Sequence, residues 1–146
     1  MSATNAAETA VLNLIFNNSA WANVGDASGL QPSSAAGSFY VSLHTADPAE
    51  TGNQTSNETS YTGYARVAVA RSASGWTVSG NAVSPTNNID FGQKTDAGSV
   101  TITHIGLGSA STGTGNLFFI FALSSSITVD QNEAPQISSS SSFTVD

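Results

Sequence analysis

Apolar side chains follow a helical period at the start of the chain and a strand period from residue 38 onward. Ala7, Ala10, Val11, Leu14 and Ile15 fall on one face of a helix. Asn5 supplies an N-cap with Glu8 three positions later, and Asn17, Asn18 and Ser19 compete with the backbone for its hydrogen bonds. One amphipathic helix is predicted over residues 5–17. Residues 20–38 are small and polar apart from Trp21, Val24 and Leu30, and Gly25, Gly29, Pro32 and Gly37 interrupt any regular period. They read as an irregular connector or arm.

In residues 39–44, Phe39, Val41 and Leu43 alternate with Tyr40, Ser42 and His44, the pattern of a half-buried strand. Asp47-Pro48 stops it. Residues 46–60 hold almost no apolar side chain and form a predicted surface loop, long enough to be a candidate for partner contact. Residues 64–71 alternate again, Ala65, Val67 and Val69 against Tyr64, Arg66 and Ala68, and Trp76-Thr77-Val78 after Gly75 reads as the hairpin return. Further strands are predicted at 89–91, 100–107, 117–123, 126–129 and 142–145. Leu117-Phe118-Phe119-Ile120-Phe121 is continuously apolar, which predicts a strand covered on both sides. The serine tract 138–142 reads as an edge strand, the favoured reading, or as a flexible linker to Phe143.

Short strands separated by turn clusters define a mainly β chain: an antiparallel β-sandwich or barrel with one N-terminal amphipathic helix and an irregular arm. The 146 residues suit a single compact domain overall. Residues 1–38 supply its helix and connecting arm, and residues 39–146 its β domain.

Charged residues make up only 9% of the chain, against about 25% in ordinary soluble proteins, while serine and threonine supply about a quarter of it. Hydroxyls and amides, not ions, must wet its surface. The basic side chains are Arg66, Arg71 and Lys94, so a net charge of −7 leaves nothing to neutralise a run of phosphates. Nucleic acid and anionic membrane surfaces are excluded as partners on that ground, and no stretch approaches the ~20 apolar residues of a spanning helix. No basic n-region or cleavage site marks the N-terminus for export. Cysteine is absent, which removes disulfides and thiolate chemistry.

Nucleophilic catalysis needs a base beside a serine or threonine, and the two histidines, His44 and His104, sit in no such frame. Gly106-Leu107-Gly108-Ser109 lacks the strand-to-helix turn of a nucleophile elbow. His44, Asp47 and Glu50 would share a helical face suited to a metal, but Pro48 and the strand pattern before it oppose that helix. His104 follows Val100 and Ile102 on a largely apolar face, where a hydrogen-bonded histidine of the core or of an interface is expected. No acid pair stands out for glycoside hydrolysis. The expectation is a protein that is not an enzyme and takes no cofactor or metal. Arg66 stands out instead, with Tyr61 and Tyr64 just before it, because a guanidinium there can stack on an aromatic ring or fork onto a carboxylate. Trp21, Tyr61, Tyr64, Arg66 and His44 are the candidate interface residues. Arg66→Ala is expected to weaken association without unfolding the domain.

Phe39-Tyr40-Val41-Ser42-Leu43-His44-Thr45-Ala46-Asp47-Pro48, then Glu50-Thr51-Gly52-Asn53-Gln54, Glu58 and residues 61–69 resemble a family of short tailed-phage virion proteins, capsid-decorating or tail-fibre-like. Thr103-His104-Ile105-Gly106-Leu107-Gly108 and Gly115-Asn116-Leu117 are similar to the same family. Members usually carry Gly after the Asp-Pro, where this chain has Ala49. The resemblance implies a place on the particle surface, after synthesis in the host cytoplasm, and no catalytic residues. A capsid decoration or cement protein is expected, binding the outer face of the shell. Its partners would be the major capsid protein and other copies of itself, as a trimer. The alternative is a tail or tail-fibre component that meets other tail proteins or a host surface glycan.

Overall fold

The computed structural model describes residues 3–144. Among these residues the chain is mainly β, with one helix and antiparallel sheets, and no sheet closes into a barrel. The described residues of Met1–Ser38, Ala70–Asn88 and Ser138–Asp146 form one compact unit, and those of Phe39–Val69 and Ile89–Ile137 form the other. The chain therefore passes from one unit to the other four times.

In the first unit, helix α1 runs over Asn5–Phe16, and its N-cap is Thr4, one residue earlier than predicted, whose hydroxyl accepts from the Ala7 N–H. Asn17 and the left-handed Asn18 end it as expected. The buried face is set by Leu12 and Phe16, not by the predicted set of Ala7, Ala10, Val11, Leu14 and Ile15. Phe16 meets Trp76 edge-on at 5.2 Å between ring centres, and both rings are almost wholly buried. Arg71 donates to the carbonyls of Leu14, Ile15 and Ala36, placing a cation on the negative end of the helix.

Strands β3 (Trp76–Ser79) and β4 (Ala82–Pro85) form a hairpin around Gly80-Asn81, and β4 also pairs with β9 (Phe143–Thr144). Here the predicted hairpin is corrected: Trp76 returns along β4 and not along residues 64–71. The 72–76 turn, closed by Gly75 and Trp76 N–H groups on the Ser72 carbonyl, separates the two. The serine tract is a turn, not an edge strand, because Ser138 accepts from Ser140 and Ser141. The last residues of the strand predicted over 142–145 lie partly outside the described residues. The arm at 20–38 is irregular as expected. Trp21 and Leu30 exchange both backbone bonds across it, and Asp26 accepts from Ser28 and Gly29 inside the turn.

The second unit is organised by a four-stranded sheet in the order β2 (Val67–Ala70), β1 (Ser38–His44), β6 (Val100–Gly108) and β7 (Leu117–Val129). Phe39, Val41, Leu43, Ile102, Ile105 and Leu107 form its core, each burial stabilising the fold by about 1.5–3 kcal/mol. Strand β1 is buried on both faces at its end, since Ser42 and His44 are as inaccessible as Val41 and Leu43. A short ladder, β5 (Ile89–Asp90) with β8 (Gln136–Ile137), completes the unit.

The apolar run of residues 117–121 is not covered on both sides. It belongs to β7, the edge of the sheet, where Phe118 is 52% exposed and none of residues 117–123 is fully buried. The run arises from a register slip: Leu107 pairs with Phe119 and Gly108 with Leu117, leaving Phe118 extra. That bulge interrupts the alternation, and Phe118 and Phe119 both lie edge-on to Phe39 at 6.2 Å.

Candidate functional site

The loop at 46–60 is polar, yet its centre is tied down within the second unit. Asn57 and Glu58 run back along the end of β1: Thr45 N–H donates to the Asn57 carbonyl, and Thr59 N–H to the Leu43 carbonyl. Asp47 accepts from the Ala49 N–H, and Ala49 adopts a φ of 61°. Alanine in this left-handed region costs about 1–2 kcal/mol, which glycine avoids.

Glu58 anchors the loop. Its two oxygens take a fork from Arg66, Nε to Oε1 and Nη2 to Oε2, both at 2.7 Å. The Arg66 side chain is 3% exposed and that of Glu58 13%. Two further guanidinium hydrogens reach the carbonyls of Ala110 and Gly113 in the turn between β6 and β7. The hydrogen bonds that Arg66 donates to Glu58, more than any other influence, hold the Arg66 proton more firmly than usual. The Tyr64 hydroxyl donates to Glu58 at 2.8 Å and accepts from the Leu43 N–H at 3.0 Å. Burial pushes the Tyr64 phenol well above its ordinary value. Its ring stacks on Phe91 and meets Tyr61 edge-on, and Tyr61 donates to the Gly92 carbonyl.

Gln54 is a second plug, with no exposed surface. Its side-chain oxygen accepts from the Ala110 N–H at 2.9 Å, and its backbone N–H donates to the Thr114 carbonyl. The amide lies against Gly108 and Gly115. A Cβ at either position would stand 2.1 Å from it, so both glycines are required by this close approach.

His44 has no exposed surface either, and its burial lowers its pKa below the ordinary value. Nδ1 lies 2.8 Å from the Ser56 carbonyl, which can only accept, so Nδ1 carries the proton of the neutral ring. Nε2 then accepts from the Ser42 hydroxyl at 2.8 Å. That pairing is the geometry of a nucleophile and its base. Both residues are sealed from solvent, so in this conformation no substrate reaches the hydroxyl. His104 stands opposite His44 on the neighbouring strand, bonded to Thr103. Among the described residues, no three His, Asp or Glu side chains converge to hold a metal ion.

The structure brings four of the five sequence-selected residues together: His44, Tyr61, Tyr64 and Arg66 share this cluster. Trp21 lies in the other unit, half-buried and paired with Leu30. Arg66 precedes β2 instead of lying within a strand, and its fork closes on a carboxylate of its own chain. The expectation that Arg66→Ala spares the fold is revised on this geometry. Sequence reasoning missed the plug of Gln54 and the anchor of Glu58, since neither lies on a periodic face. Two open recesses of about 340 and 370 Å³ flank residues 58–61. Thr59 lines both, and its buried hydroxyl has no partner. Among the described residues, no helix is long and apolar enough to cross a membrane.

The two blocks that carried the resemblance, residues 39–69 and 103–117, are thus the two sides of one locked joint. A search of curated proteins returns no match. A family described as podophage GP4 fiber I protein gp80 matches residues 2–144, and the chain belongs to this family of tailed-phage structural proteins.

Proposed function

We propose that this protein is a fibre subunit of a podophage particle, holding neighbouring virion proteins by adhesion and performing no chemical step. The observation that carries this reading is the family match over residues 2–144, whose description names a fibre protein. The geometry supports it. Gln54, Glu58 and Arg66 fix a long polar loop to the sheet without using any exposed charge, giving a surface that is ordered before it meets a partner. The Ser42–His44 pair, the arrangement nearest to catalytic chemistry, is enclosed.

Stoichiometry by mass spectrometry of intact particles, with antibody labelling in the electron microscope, tests the proposal. Label at fibres with few copies per particle is expected. Hundreds of copies spread over the shell overturn it in favour of capsid decoration.

A further inference from the structure

Strand β7 ends the four-stranded sheet, so among the described residues no further strand pairs with it on the side away from β6. Natural edges are guarded by charge, proline or bulges. Here one bulge lies at Phe118, and a second at residues 123–126, where pairing jumps from His104 and Ala122 to Ile102 and Ile127. Between them Phe119, Ile120, Phe121 and Ala122 pair regularly with β6 and carry neither charge nor proline. Four residues form a full strand in this fold, as β2, β3 and β4 each do. Phe118 is 52% exposed, and Phe119 stacks on Phe121 along one face, so the edge carries an aromatic cluster with incomplete cover.

Charge selects the occupant. The chain carries a net −7, and Arg66, Arg71 and Lys94 are all held by its own carbonyls and carboxylates. Two copies repel wherever their acids face each other. No Asp, Glu, Lys or Arg lies between Asp96 and Asp130, the stretch that contains all of β6 and β7. Neither β6 nor β7 thus brings a charge of its own to a second copy at this edge, and a strand edge offers the same alternating donors and acceptors that it needs.

We propose that residues 119–122 of β7 are a self-association edge, pairing antiparallel with the same stretch of a second copy in a register centred on Ile120 or Phe121. A two-fold axis perpendicular to the sheet keeps each face on its own side, so the two aromatic clusters meet and the residue on the axis opposes itself. The inference does not depend on where in the particle the protein sits.

The full chain is tested by native mass spectrometry and light scattering over a concentration series. The wild type is expected to dimerise, and Phe118→Glu to weaken dimerisation at least tenfold. Thr112→Glu, the same charge change on an exposed turn, leaves it unaltered. Because the chain has no cysteine, Ile120→Cys or Phe121→Cys can cross-link only between copies. One of the two is expected to form a disulfide dimer under mild oxidation, whether or not Phe118→Glu folds. A monomeric wild type, or oligomers that survive Phe118→Glu and give no cross-link at either position, overturns the proposal.

Discussion

Arg66 illustrates how one side chain converts a loop into a scaffold. Four of its guanidinium hydrogens are committed, two to Glu58 and two to turn carbonyls, in a place where its side chain is 3% exposed. Removing one member of such a pair leaves the other charge buried and unmatched, which costs about 3–5 kcal/mol. Replacing both by apolar residues of similar volume costs far less. Arg66→Met and Glu58→Leu are each expected to lower urea stability by about 3–5 kcal/mol, and the double variant by less than either single change. Additive losses in that cycle show that the two side chains act separately.

At the scale of elements, the joint between the 46–60 loop and the turn of β6 and β7 depends on bare backbone under Gln54. Gly108→Ala places a methyl group 2.1 Å from the Gln54 side chain, so the plug must leave. Stability is expected to fall by about 1–3 kcal/mol, the cost of overpacking, with faster hydrogen exchange at the Ala110 amide that Gln54 covers. Unchanged exchange there rejects the plug as the cause. The strands themselves were largely legible, since Phe39 and Val41 on either side of Tyr40, or Ile102 beside Thr101 and Thr103, alternate as buried and less buried positions do. Their partners were not, because the 64–71 segment and Trp76 are close in sequence while the 72–76 turn sends them to different sheets. The apolar run at 117–121 misled for a physical reason: a bulge mimics double burial by turning consecutive phenylalanines to one side. Within the site, Arg66 and its tyrosines stood out as rare residue types. Gln54 and Glu58 did not, because a polar side chain in a polar loop has no pattern to break.

For the molecule as a whole, the His44 imidazole and the Tyr64 phenol are both turned inward, and this makes stability depend on pH at both ends. Burial holds the His44 pKa below its ordinary 6.5, so below about pH 6.5 the unfolded chain takes up a proton that the folded ring refuses. Folded stability is fully present above that pH and is lost as the pH falls. Tyr64 acts in the opposite sense. Burial raises its pKa, so above about pH 10 the unfolded phenol ionises while the folded one does not, and stability is lost as the pH rises. A plateau between about pH 7 and 9 is expected in melting temperature, with a decline on each side. His44→Gln, whose amide does not titrate, melts lower but holds a flat curve between about pH 5.5 and 7, where carboxylates stay ionised. Tyr64→Phe leaves Glu58 one donor short and melts lower at neutral pH, and its alkaline decline is shallower than that of the wild type. An acid limb that survives His44→Gln assigns the pH dependence to other groups and separates it from the enclosed Ser42–His44 pair.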